Sequence, residues 1–122
     1  MPIAYKNGLI IDETGVDDDV SSFIIDNRGS DGFSLTYKWT STLEGTFALF
    51  CCDDVDGVGT DGVGWVPVNG AGAGTFSTDP AGTAGEDEDT FTGTHAYYRV
   101  DFTHSASSGD LKMAVNVRVQ GK

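Results

Sequence analysis

Apolar and polar residues alternate along most of this chain with a period of two. In the closing stretch Leu111, Met113, Val115, Val117 and Val119 alternate with Lys112, Ala114, Asn116, Arg118 and Gln120. That pattern, rich in β-branched residues, marks a half-buried strand. Residues 96–102 repeat it, with Tyr98, Val100 and Phe102 on one face and Tyr97 opposite, the best candidate for exposure. Between them residues 105–110 supply turn chemistry, with Gly109 available for a positive φ. Upstream, Phe33, Leu35, Tyr37 and Trp39 share one face of residues 33–39, and Phe47, Leu49 and Cys51 share one face of residues 46–52. Residues 20–26 read as a strand in which Phe23 and Ile25 alternate against Ser22 and Ile24. Residues 3–11 read as a first strand broken by the turn-like Asn7-Gly8. Trp65-Val66-Pro67-Val68 is a short strand, with Pro67 marking an edge or an end. No stretch holds a period of 3.6 over three turns. The prediction is an all-β fold, a single antiparallel β-sandwich, with no catalytic scaffold in its closing hairpin.

Where the alternation fails, the chain is predicted to form loops. Residues 12–19 are an acidic loop and residues 27–32 dense turn punctuation. Residues 53–64 hold a near repeat, Asp56-Gly57-Val58-Gly59 and Asp61-Gly62-Val63-Gly64. Asp54, Asp56 and Asp61 invite a calcium reading. An EF-hand alignment, however, puts Cys52 first and Val63 last, with no bidentate Glu. A plain Asp-Gly hairpin turn is the stronger reading. Residues 69–94 are rich in Gly, Ala and Thr, with Phe76 and Phe91 as the large apolar residues and a short strand at most near residues 90–92. A loop of that length is usually functional, disordered or ordered by a partner, and a contact with a neighbouring subunit is the expectation. The domain reading is thus one sandwich over residues 1–122, with an N-terminal arm (1–11) and two long acidic loops (53–64, 69–94).

Charge narrows the partners. Of the 122 residues 19 are acidic and 7 basic, a net charge of −12. Such a surface repels nucleic acid and anionic membranes, so neither is an expected partner. Residues 12–19, 53–61 and 86–89 carry most of the acids; solvated loop charge is the plain reading, attraction to a basic surface or divalent cations the sharper one. Cys51 and Cys52 are adjacent, so on a strand they point to opposite faces and do not bridge each other. Without further Cys or His nearby they form no zinc motif, and a reducing compartment fits. The start, Met1-Pro2-Ile3-Ala4-Tyr5-Lys6, lacks the apolar core of a signal peptide, so synthesis in a cytoplasm is expected.

Catalytic chemistry is sparse. His104 lies near Ser105, Ser107 and Ser108, but no nucleophile elbow is present, and His95 stands at a strand start. The glycines of residues 70–74 have no following helix or lysine to cradle a phosphate. No catalytic, cofactor-binding or metal residue is assigned, and no cofactor is expected. Surface aromatics are the usual tool of sugar-binding modules. Trp39, Trp65, Tyr5, Tyr37, Tyr97 and Tyr98 are available, with core packing the stronger reading for most.

Taken in order, several motifs resemble a family of short phage and marine-virus virion proteins. They are Phe33-Ser34-Leu35-Thr36-Tyr37-Lys38-Trp39-Thr40, Glu44-Gly45-Thr46-Phe47-Ala48-Leu49, Trp65-Val66-Pro67-Val68, Ala96-Tyr97-Tyr98-Arg99-Val100-Asp101-Phe102-Thr103 and Ser108-Gly109-Asp110-Leu111. The resemblance spans about residues 20–122. It implies a jelly-roll or discoidin-like sandwich that decorates capsids or sits in tail and adhesion structures. The expectation is a non-enzymatic capsid decoration protein, assembled in a host cytoplasm and located on the virion surface. It would be homo-oligomeric and would bind the major capsid protein and copies of itself. A carbohydrate-binding or adhesion module of a tail or fibre is the alternative. The candidate interface residues are Ile3, Tyr5, Phe76, Phe91, Tyr97 and Arg99, with the arm free to pair with neighbours by strand addition.

Overall fold

A computed structural model describes residues 4–53, 64–68 and 74–118. The strands, in chain order, are β1 (Ala4–Tyr5), β2 (Asn7–Val16), β3 (Val20–Ser21), β4 (Ile24–Asp26) and β5 (Gly32–Trp39). They continue with β6 (Glu44–Cys52), β7 (Val66–Pro67), β8 (Gly85–Thr92), β9 (Tyr97–Ala106) and β10 (Gly109–Val117). They form two sheets packed face to face, an all-β, mainly antiparallel sandwich. One sheet runs β1-β4-β9-β6-β7, with β3 also on β9; the other runs β2-β10-β5-β8. From β4 onward the chain crosses from sheet to sheet, β4 to β5, β5 to β6, β7 to β8, β8 to β9 and β9 to β10. That winding is jelly-roll-like. Among the described residues the β1–β4 pair alone is parallel.

The core follows the predicted alternation. Phe33, Leu35, Tyr37 and Trp39 of β5 meet Phe47, Leu49 and Cys51 of β6 across the sandwich. Tyr98, Val100 and Phe102 of β9 and Leu111, Met113, Val115 and Val117 of β10 complete the same cluster. Aromatic rings knit it together: Phe33 lies 4.9 Å from Tyr98, and Phe47 5.3 Å from Phe102, centroid to centroid. Tilted and edge-on pairs of this kind add to the burial of their area.

Several boundaries differ from expectation. β2 continues through Asp12 and Glu13 to Val16, because β10 is long enough to pair with it throughout. The first strand breaks at Lys6, one residue before the Asn7-Gly8 pair. Residues 20–26 split in two at Ser22, whose hydroxyl donates to the Phe23 carbonyl and accepts the Val100 N–H. Ile24 and Ile25 are then both buried while Phe23 turns outward. The turn between β9 and β10 takes its positive φ at Ser107, not at Gly109. Gly109 is required for space instead: a Cβ there would lie 2.1 Å from the Thr40 carbonyl oxygen.

The largest revision concerns residues 69–94. Its acidic run lies in an eight-residue strand, β8, paired along its length with β5. Ahead of it, residues 74–84 close the side of the sandwich. Phe76 enters the core between Phe47 and Phe91, Gly45 N–H donates to the Pro80 carbonyl, and Phe47 N–H donates to Asp79.

Candidate functional site

Alternation predicts one buried face per strand, and the six-stranded sheet buries parts of both. On its outer side Ile24, Cys52, Trp65 and Tyr97 form a second cluster. Trp65 lies on this face and packs over it. Cys52 is therefore buried there while Cys51 is buried in the main core. Burial pushes the Cys51 thiol above its ordinary pKa, the sign of a packing rather than a reactive cysteine.

Cations roof this second cluster. The Arg28 guanidinium sits 5.3 Å from the Tyr97 ring centroid, and that of Arg99 sits 4.9 Å from Trp65 and 5.3 Å from Phe50. Each is held by a carboxylate. Arg28 donates from Nε and Nη2 to Asp26, both at 2.9 Å, and Arg99 donates to both oxygens of Asp101 at 3.0 and 3.1 Å. Hydrogen bonding from the Arg28 side chain holds the Asp26 carboxyl below its ordinary pKa, against the opposing effect of burial.

Two of the interface candidates are thus parts of this layer. Tyr97, expected to be exposed, is only 5% so. Arg99 is spent on two rings and an aspartate. Phe76 and Phe91 are core residues, so neither is free to meet a partner. Tyr5 remains half-buried, stacked on Phe23 with centroids 5.2 Å apart. Phe23 is 54% exposed, which makes this pair an aromatic surface feature. Ile3, Asp54, Asp56 and Asp61 lie outside the described residues.

The outer face of the four-stranded sheet carries a concavity of about 480 Å³. It is lined by Leu9, Thr36, Lys38, Glu86, Glu88 and Lys112 among others. Register sets one row of charges: Asp12 opposite Lys112, Lys112 opposite Lys38, Lys38 opposite Glu86. Lys112 donates to Asp12 at 2.8 Å. Lys38, Glu86 and Glu88 form no ion pair among the described residues. Leu9, 43% exposed, supplies apolar surface beside them.

The inward acids of β8 behave differently. Asp89 accepts from the Tyr37 hydroxyl at 2.5 Å, from Ser77 N–H at 3.0 Å and from the Ser77 hydroxyl. Asp87 accepts from the Thr78 hydroxyl, the main cause of its lowered pKa. Burial, reinforced by Asp89, keeps the Tyr37 phenol protonated well beyond its usual range.

The histidines serve structure. His95 Nδ1 lies 2.7 Å from Asp53, which also takes the Ala96 N–H. The His95 hydrogen bond is the leading cause of the lowered Asp53 pKa. His104 Nε2 meets the Ser107 carbonyl of its own turn. Asn27, 1% exposed, is a buried polar residue that turn punctuation alone does not reveal. Its Nδ2 donates to the Gly93 and His95 carbonyls at 3.0 Å each, fastening the turn before β5 to the segment before β9.

Among the described residues no group of three or more His, Cys, Asp or Glu is placed to hold a metal ion. No family model, no curated protein and no solved structure matches this chain.

Proposed function

We propose that this chain is a non-enzymatic virion structural protein, a decoration protein that seats on the major capsid protein lattice as an oligomer. The observation that carries the reading is the Tyr5–Phe23 stack, with more than half of the Phe23 side chain in water. Exposed apolar features on a polar, strongly acidic surface are marks of contact sites. This one borders the N-terminal residues, the segment expected from sequence to reach neighbours. The resemblance of residues 33–40, 44–49 and 96–103 to phage and marine-virus virion proteins suggests the class of partner. Two short edge strands, β1 and β7, and acids on β8 suit a module packed in many copies without edge-to-edge aggregation.

The sugar-binding alternative has less to build on. Of the six aromatic residues available for stacking, Trp39, Trp65, Tyr37, Tyr97 and Tyr98 are buried. Only Tyr5 remains as a platform.

Quantitative mass spectrometry of purified particles tests the proposal. Copies of this chain in a simple ratio to the major capsid protein are expected. A handful of copies per particle would move the protein to a neck, tail or fibre, and absence from particles would end the virion reading.

A further inference from the structure

β8 is an outer strand of the four-stranded sheet, paired with β5 and with no other strand among the described residues. The Glu88 N–H turns away from β5 and is taken by the neighbouring Asp87 carboxylate at 2.8 Å. In an antiparallel pair, residues that exchange backbone bonds alternate with residues whose backbone groups face away. The backbone groups of Glu86 and Thr90 therefore face the same open side. The opposite outer strand is tied back, because the Ile10 carbonyl of β2 accepts the Phe23 N–H at 2.9 Å. Among the described residues β8 has no such backbone bond on its open side.

We propose that the open edge of β8 docks an extended, basic segment of a partner protein, which adds to the sheet as a further strand. Three observations converge on that occupant. Among the described residues the edge offers a regular row of backbone groups that no strand pairs, of which the Glu88 N–H is held by the Asp87 side chain. Glu86 and Glu88 point outward without ion pairs and border the concavity of about 480 Å³. The chain as a whole carries a net charge of −12, which draws a cationic segment in.

The geometry also sets the partner's pattern. Every second residue of the added strand faces the outer side, where Lys or Arg meets Glu86 and Glu88 and lays its aliphatic stem over the concavity. The intervening residues face Asp87 and Asp89, already held by Thr78, Ser77 and Tyr37, so they are small or hydroxyl-bearing. A second copy of β8 does not fit, because like charges across paired strands repel. Charge thus selects the partner's sign and the backbone its conformation. The inference does not depend on the capsid reading, since purified chain and peptide test it without particles.

The experiment is NMR titration of the full chain with a synthetic peptide of alternating Lys and Thr. Two comparison peptides accompany it: the same sequence N-methylated at alternate residues, and one with Glu for Lys. The Glu86, Glu88 and Thr90 amides should shift and gain exchange protection with the first peptide alone. Its affinity should fall about tenfold or more in the E86Q/E88Q variant and on N-methylation. Equal binding of the methylated peptide would reduce the effect to charge and overturn strand addition. Shifts centred on residues 12–19 would place the site elsewhere. Absence of binding would leave the acids as edge protection and end the proposal.

Discussion

Single residues show where space and charge are committed. Gly109 begins β10 with an ordinary backbone, yet a Cβ would collide with the Thr40 carbonyl and press on Leu43. The obstacle is backbone, which yields little. Gly109→Ala should therefore destabilise the fold by about 1–3 kcal/mol, the range for overpacking. Urea denaturation measures this, and a midpoint equal to that of the parent would refute it. Asp26 is the clearest electrostatic residue, its carboxylate buried against Arg28 and 3.8 Å from Lys6. Its folded pKa lies below the unfolded value, so the stabilisation is present above that unfolded value and is lost as pH falls through the folded one. Asp26→Asn should cost about 1 kcal/mol at neutral pH, a figure held down because Arg28 is largely in water. The gap between variant and parent should close as the pH is lowered through the depressed folded pKa of Asp26. A gap that persists undiminished in acid would mean that the carboxylate charge is not its source.

At the scale of elements, β2 and β8 depart furthest from their sequence reading. The N-terminal arm is largely part of the sandwich: β2 pairs with β10 from Asn7 to Val16, and Ile10 and Ile11 are core residues. A truncation of residues 1–11, harmless if the arm were free, should instead abolish cooperative unfolding. Ile10→Ala, a gentler probe, should cost about 2–5 kcal/mol by transfer and cavity effects. Circular dichroism melts distinguish the cases, and a truncated chain with a parental melt would restore the free arm. β8 escaped a strand reading because four consecutive acids break the apolar alternation. Two of its inward positions are Asp87 and Asp89, and they are accommodated at the rim by the adjacent Ser77 and Thr78 and by Tyr37, which stands 52 residues before Asp89 in the chain. Phe91 is the one inward position of β8 whose apolar character is visible from sequence.

For the whole molecule, charge and topology matter most. With a net charge of −12 the folded chain repels itself, and added salt screens that repulsion. The melting temperature at neutral pH should rise as sodium chloride is added over the first few tenths molar, as a scanning fluorimetry series would show. A falling temperature would mean that attractive pairs such as Asp26–Arg28 outweigh the net repulsion. Topology adds a kinetic character. Lys112 meets Asp12 across 100 residues of chain, and closing such pairs early is entropically costly, so slow folding accompanies this fold.

Local alternation by itself determined the fold class, the inward faces of β5, β6, β9 and β10, and the edge position of Pro67. Those features depend on side chains that point to opposite sides of a strand every residue, a rule that needs no neighbour. Only the tertiary structure decided which strands run beside one another, that Trp65 covers a second apolar layer, and that Phe76 and Tyr97 are buried. It also left Phe23, which alternation paired with Ile25, in solvent. Such outcomes depend on which segment of a distant loop arrives to cover a face. A period of two records that a face is apolar, not what packs against it. The candidate surfaces lay beyond the sequence for the same reason: the concavity and the open edge of β8 exist only once four strands, drawn from both ends of the chain, stand side by side.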